Sequence, residues 1–264
     1  MIDTHSHIYL EQFDDDRAEA IARAKMVGIE RIILPNIDSE SIDRLYQTEK
    51  DFAGFCYAAM GLHPTSVNAS YQDELSVVEK QLKERSYVAI GEIGIDLYWD
   101  KTYLTEQIIA FEQQLEWALQ YNYPVIIHSR DSHNEIMASL KKFASRNLTG
   151  VFHSFGGTIK QAQEILNFGG FKLGINGVVT FKNSGLDNVL AQLNPEDLVL
   201  ETDSPYLAPI PFRGQRNETA YLSLIKNKLA EIFNISEAEI DKITTQNTKT
   251  IFPSVFKIGV KIKK

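Results

Sequence analysis

The stretch that decides the fold is the first one: Met1-Ile2-Asp3-Thr4-His5-Ser6-His7-Ile8, followed by Tyr9-Leu10-Glu11-Gln12-Phe13-Asp14-Asp15-Asp16. Residues Ile2–Ile8 read as a strand, in which side chains two apart share a face. A doubly wound open sheet usually carries a glycine-rich phosphate turn directly after its first strand. Residues 9–16 contain no glycine. The same kind of run recurs at Arg31–Ile37, Phe55–Pro64, Val88–Asp96, Pro124–Arg130, Gly150–Phe155, Phe171–Gly177 and Leu198–Pro205. Helical spacing fills the gaps between runs: Ala18, Ile21, Ala22 and Met26; Ile108, Phe111, Leu115, Ala118 and Leu119; Leu222, Ile225, Leu229 and Ile232. Ser236 and Glu239 form a capping-box signature ahead of Ile240 and Ile243. Eight β-then-α units in 264 residues match an α/β fold of the (β/α)8 TIM-barrel type. One domain over residues 1–264 is the simplest division.

With 44% hydrophobic and 23% charged residues, the chain can bury a substantial core and is not a disordered segment. Its net charge of −8 argues against a surface that binds polyanions everywhere. A nucleic-acid substrate then requires local positive charge, such as bound metal. Cys56 is the one cysteine, so no intramolecular disulfide can form. The start lacks a basic-then-apolar leader, and no apolar run approaches the ~18 residues of a membrane span. The expected compartment is the cytoplasm.

Histidines fall at 5, 7, 63, 128, 133 and 153, and all but His133 lie within the strand runs, most of them towards the C-terminal ends. A barrel projects its active-site side chains from that end. A lone strand histidine is ordinarily a hydrogen-bonded core residue; five gathered at one end point to metal. His5 and His7 share a strand face and can grip one cation. Glu92 and Asp203 are embedded in apolar sequence, where an ionised carboxylate needs a partner or a metal. Glu201 has the same facing parity as Asp203 but lies deeper, which suits a supporting role. Asp96 is a later rival to Glu92 and a candidate support for its loop. Four histidines with Glu92 and Asp203 are too many ligands for one zinc and suit two divalent ions sharing a carboxylate. Imidazoles favour zinc, nickel or manganese over magnesium. Arg130 and the Arg213/Arg216 pair are candidate phosphate contacts, with salt bridges or plain solvent exposure as the alternatives. Tyr98, Trp99 and Phe181 could stack on bases, although rim packing is the commoner role. Lys257, Lys261, Lys263 and Lys264 read as a solvated tail.

Seven collinear motifs make the chain similar to the TatD-family metal-dependent deoxyribonucleases, a branch of the amidohydrolase-like barrels. They are Asp-Thr-His-Ser-His (3–7), Gly-Leu-His-Pro (61–64), Gly-Glu-Ile-Gly-Ile-Asp (91–96), His-Ser-Arg (128–130), His-Ser-Phe-Gly-Gly (153–157), Glu-Thr-Asp-Ser-Pro-Tyr-Leu (201–207) and Arg-Gly-Gln-Arg-Asn (213–217). The resemblance implies a TIM barrel in which His5, His7, Glu92 and Asp203 hold one metal. It implies that Glu92 bridges to a second metal held by His128 and His153. Asp203 would orient or deprotonate the attacking water, and His63 would position substrate or transfer a proton. Arg213 and Asn217 would lie in the loop after the eighth strand, and magnesium would support activity. The chain departs from the family pattern at Thr65, Ser154, Gly156 and Thr219, none of them in the implied ligand set.

These readings converge on a metal-dependent hydrolase that cleaves phosphodiester bonds of DNA, exonucleolytically at single-stranded ends. Its catalytic residues would be Asp203, Glu92 and His63, and its substrate contacts Arg130, Arg213 and Asn217. The cofactors would be two divalent ions (Zn, Mn, Ni or Mg). The rival readings are an ester or amide hydrolase, such as a D-aminoacyl-tRNA deacylase, and a non-catalytic nucleic-acid-binding barrel. No membrane or obligate protein partner is expected.

Overall fold

The computed structural model describes residues 1–256; the basic run expected to form a solvated tail lies outside the described residues. In chain order the elements are β1 Ile2–Asp3, α1 Arg17–Met26, β2 Arg31–Pro35, α2 Ile42–Asp51, β3 Cys56–Ala59, α3 Tyr71–Glu84, β4 Ile90–Asp96, α4 Leu104–Tyr121, β5 Val125–Arg130, α5 His133–Lys141, β6 Gly150–Phe152, α6 Ile159–Phe168, β7 Phe171–Ile175, α7 Leu186–Leu190, β8 Leu198–Leu200, α8 Leu222–Phe233 and α9 Glu237–Ile251. All strand pairs are parallel, in the orders β1-β2-β3 and β4-β5-β6-β7-β8. Isolated parallel bridges link the two runs at Met60–Ile90 and Ser6–Ser204. Backbone bonds from Gly91 N to Met60 O (3.0 Å) and from Thr4 N to Leu200 O (3.0 Å) reinforce those seams. Sequential strand order belongs to a TIM-type barrel and excludes the doubly wound alternative, whose strand order reverses midway.

Strand periodicity separates two apolar layers. Ile33, Ala59, Ala89, Ile126, Val151 and Val199 pack together inside the ring of strands, closed at the bottom by Ile251, Phe252 and Val255. Their neighbours Ile32, Leu34, Ala58, Ile127, Phe152, Leu198 and Leu200 turn outward into the larger core formed with the helices. Both faces are covered, which explains why these runs read as nearly continuous apolar sequence. Two residues beyond each interior plug residue the same face must present the next side chain. Ile126 is thus followed by His128, Val151 by His153, and Val199 by Glu201 and then Asp203.

Two local features open space for the site. In β4 the register moves from Ile90–Val125 to Ile93–Ile127, one residue more on β4 than on β5, and Glu92 sits in that bulge. Bulges re-aim side chains and recur beside functional sites. Gly94 has φ +150°, and a Cβ there would meet His128 O at 1.9 Å. No other residue could hold that backbone against β5.

All eight expected strands exist; β4 and β5 run to their expected ends, whereas the regular ladders of the other six stop two to five residues short at the C-terminal ends. Beyond the ladder the chain bends inward; the first strand pairs onward only through bonds such as Asp203 N to His5 O (2.9 Å) and His7 N to Ser204 O (2.7 Å). The expected first helix stripe also shifts. Ala20, Ile21 and Ala24 are buried, whereas Met26 is 86% exposed. In an alanine-rich helix several stripes fit the same period, and packing selected the neighbouring one. The last helix begins as expected, with Ser236 Oγ accepting from Glu239 N at 3.1 Å.

Candidate metal centre

Glu92 is buried, and its two carboxylate oxygens face two sets of imidazoles. Oε2 lies 3.1 Å from His5 Nε2 and 3.4 Å from His7 Nε2. Oε1 lies 3.0 Å from His128 Nδ1, 3.0 Å from His153 Nε2 and 3.3 Å from His63 Nε2. Asp203 Oδ1 joins the first set, 3.7 Å from His5 Nε2 and 3.6 Å from His7 Nε2. Three overlapping groups of ligand atoms are close enough to share an ion: His5–Glu92–His153, His5–His7–Asp203 and His63–Glu92–His128.

Hydrogen bonds behind the rings fix which nitrogen offers a lone pair. Tyr9 spends its O–H on Pro35 O (2.7 Å), so it accepts from His7 Nδ1 (2.9 Å) and leaves His7 Nε2 bare. Asp96 Oδ2 accepts from His128 Nε2 (2.9 Å), leaving Nδ1 bare and directed at Glu92. A bare nitrogen and a carboxylate oxygen at such range repel unless a proton or cation lies between them. The donor set of imidazoles and carboxylates therefore fits divalent transition-metal ions. Such rings are commonly oriented by the partners found here. Glu201 Oε1 accepts from Ser154 N at 2.5 Å and lies 3.3 Å from His153 Nδ1, close enough for charge though off the hydrogen-bond direction. A Cβ at position 174 would meet Glu201 Oε2 at 2.1 Å, so Gly174 makes the space for this carboxylate.

The charges respond to this packing. Burial favours a protonated Glu92, but His153, His63 and His5 outweigh it and hold the carboxyl well below its usual range. Burial pushes Asp203 up to about 6 against the opposing pull of His153 and His7. Burial lowers His63. His63 differs from the other rings in a second way: its Nδ1 accepts from Thr65 N (3.1 Å), which places the ring proton on Nε2, facing Glu92. It can donate there without an intervening cation.

His7, His63, Glu92, His128, His153 and Asp203 floor a cleft of about 1400 Å³ at the C-terminal end of the strands, with His5 fully buried against Glu92. The structure brings His5, His7, His63, Glu92, His128, His153 and Asp203 together. Arg130 and Arg213 stand on the cleft rim. Asn217 does not reach the cleft: it is fully buried, and its amide donates to Thr202 O (2.9 Å) and Tyr206 O (2.6 Å). The side chain that read as a substrate contact ties the loop after β8 to the strand. Arg216 likewise turns away, binding Asp16 at 2.6 and 2.8 Å. Tyr9 was missed in the sequence: it lies in the turn past the first strand run, where parity no longer applies. His133 caps no ion group; its Nε2 pairs with Glu164 at 3.0 Å.

Comparison with known proteins agrees with this geometry. The family described as TatD related DNase matches residues 2–253. The chain is 36% identical to the metal-dependent hydrolase YabD of Bacillus subtilis, over 96% of this chain and 98% of that protein. It is 33% identical to the 3'-5' ssDNA/RNA exonuclease TatD of Cronobacter turicensis, over 96% and 97% of the two chains. The crystal structure of YjjV, a TatD homologue from Escherichia coli, superposes with a TM-score of 0.88 at 32% identity, covering 96% of this chain and 98% of that one. The barrel, the clustered imidazoles and carboxylates, and this similarity along nearly the whole length lead to one assignment: the chain belongs to the TatD-related DNase family of metal-dependent hydrolases.

Proposed function

We propose that the protein is an exonuclease that hydrolyses phosphodiester bonds at single-stranded nucleic-acid ends, using two divalent ions, and that residues 1–264 act as one unit. The observation that carries this reading is the division of imidazoles between the two oxygens of Glu92. His5, His7, Asp203 and Oε2 would hold one ion; His128, His153 and Oε1 the other. Bound there, such ions acidify water and neutralise charge developing on phosphoryl oxygens. Asp203, beside the first ion, would take the proton of the attacking water. His63, neutral and with its proton on Nε2, is suited to donate a hydrogen bond that holds a phosphoryl or leaving oxygen in place. Zinc, manganese and nickel fit the imidazoles better than magnesium does. Relatives named 3'-5' ssDNA/RNA exonuclease support the choice of substrate.

The test is cleavage of labelled single strands, free or blocked at the 3' end, beside a D-aminoacyl-tRNA deacylation assay and a DNA-binding assay. Stepwise shortening of the free strand that disappears in a Glu92→Ala/Asp203→Ala double variant is expected. Cleavage that persists in the double variant, deacylation without strand cleavage, or DNA binding without turnover would overturn the reading.

A further inference from the structure

The two arginines on the cleft rim are not held by carboxylates. Among the described residues neither Arg130 nor Arg213 has an ion-pair partner, and each lies instead over an aromatic ring. The Arg130 guanidinium is 3.9 Å from the centre of the Tyr98 ring and 5.5 Å from that of Trp99. The Arg213 guanidinium is 4.6 Å from the Phe181 ring centre. The first group stands after β4 and at the end of β5, the second on the loops after β7 and β8, so they flank different sides of the mouth.

Tyr98 and Trp99 are 54% and 70% exposed, and Trp99 lines the cleft with Arg130. They are held in place. Asp96 Oδ1 accepts from both Tyr98 N (2.9 Å) and Trp99 N (3.2 Å), while its other oxygen accepts from His128 Nε2. One carboxylate thus fixes the aromatic pair and an imidazole of the candidate metal centre together. The two rings meet edge to face, 5.0 Å apart at 87°. A guanidinium lying on a ring offers a flat, cationic surface to a further planar group.

Charge shows what that group is. Of the five carboxylates that line the cleft, Glu92 and Asp203 would be taken up by the ions, which leaves Asp96, Asp131 and Glu135 against these two arginines; beyond the ions the walls offer a phosphate backbone no net positive charge. Away from the reacting phosphate, binding free energy for a strand must then come mainly from its bases. Resting on the proposed nuclease reading, we infer that Tyr98, Trp99 and Arg130 form a nucleobase-stacking subsite beside the reacting phosphate, with Phe181 and Arg213 as a second platform across the mouth. Paired bases in a duplex cannot enter such a subsite, whereas splayed single-stranded bases can.

Trp99 also reports on the subsite, because the other tryptophan, Trp117, is only 6% exposed. The experiment titrates the intact, metal-supplied protein with a phosphorothioate tetrathymidylate, which resists cleavage, and with versions lacking one base at each position in turn. Tryptophan emission should fall with the complete strand. Removing the base at one position should weaken binding about 5- to 160-fold, the range for loss of one base–aromatic stack. Trp99→Ala, read by fluorescence anisotropy of a labelled strand, should lose the same factor on the complete strand and nothing further on that base-free strand; Trp99→Phe should recover most of it. Unchanged emission, or equal losses on complete and base-free strands, would overturn the subsite. If strands are cleaved but emission does not respond, the subsite fails and the nuclease reading stands. If base-dependent quenching occurs without any cleavage, the nuclease reading fails and the subsite stands.

Discussion

Glu92 shows how much one residue can organise: five imidazole nitrogens lie within 3.4 Å of its carboxylate. Part of this was readable from the sequence. Parity on a strand placed His5 with His7, and apolar surroundings marked Glu92 and Asp203 as carboxylates in need of partners. The partners behind the rings were not readable, because Tyr9, Asp96 and Glu201 act through directions of hydrogen bonds that spacing does not encode. Asn217 failed for the same reason: an asparagine in a loop motif can face a cleft or staple its own loop, and only the fold decides. Glu201 offers a direct check. Glu201→Gln removes the charge 3.3 Å from His153 Nδ1 and should lower metal affinity about 10- to 100-fold, the usual effect of losing an outer-shell partner. Chelator competition reads that change, and an unaltered circular dichroism spectrum would separate it from unfolding. Unchanged affinity would mean that Glu201 serves only Ser154 N.

At the scale of elements, the existence and order of strands were legible, and so were the C-terminal ends of β4 and β5, but the other ends were not. The runs continue to Ile8, Pro64 and Pro205, but those three ladders end earlier because the residues beyond them leave the sheet to build the site. The loop after β8 is then anchored by charge. Arg23 binds Glu218 at 2.7 Å and Asp16 at 2.9 Å, and Arg216 binds Asp16. Hydrogen bonds from Arg216, then Arg23, hold the Asp16 carboxyl below its ordinary value of 3.8. A carboxyl whose pKa is lower folded than unfolded adds stability above the unfolded value and loses it as pH falls toward the folded one. Stability from this pair should therefore be complete above about pH 5 and decline below about pH 4. These side chains are substantially solvated, so the effect should stay below about 1 kcal/mol. Urea midpoints at pH 6, 5, 4 and 3 should show a shallower acid decline in Asp16→Asn than in the parent. Parallel curves would remove Asp16 from the account.

Across the whole molecule, the barrel separates stability from chemistry. Its lower interior is filled by apolar side chains and sealed by Phe252, which is fully buried, while ionisable groups occupy the other end. Phe252→Ala should cost about 3–5 kcal/mol of stability in denaturant unfolding. A loss below about 1 kcal/mol would show that the bottom of the barrel is closed by something else. No helix among the described residues is long and apolar enough to cross a membrane. On the proposed reading, a net charge of −8 would confine attraction for a polyanion to the cleft and its ions. The most direct test is anomalous diffraction from crystals grown with manganese or zinc. The account predicts two peaks about 3.5–4 Å apart, one beside each oxygen of Glu92, the first ringed by His5, His7 and Asp203 and the second by His128 and His153. A single peak, or peaks away from Glu92, would contradict it.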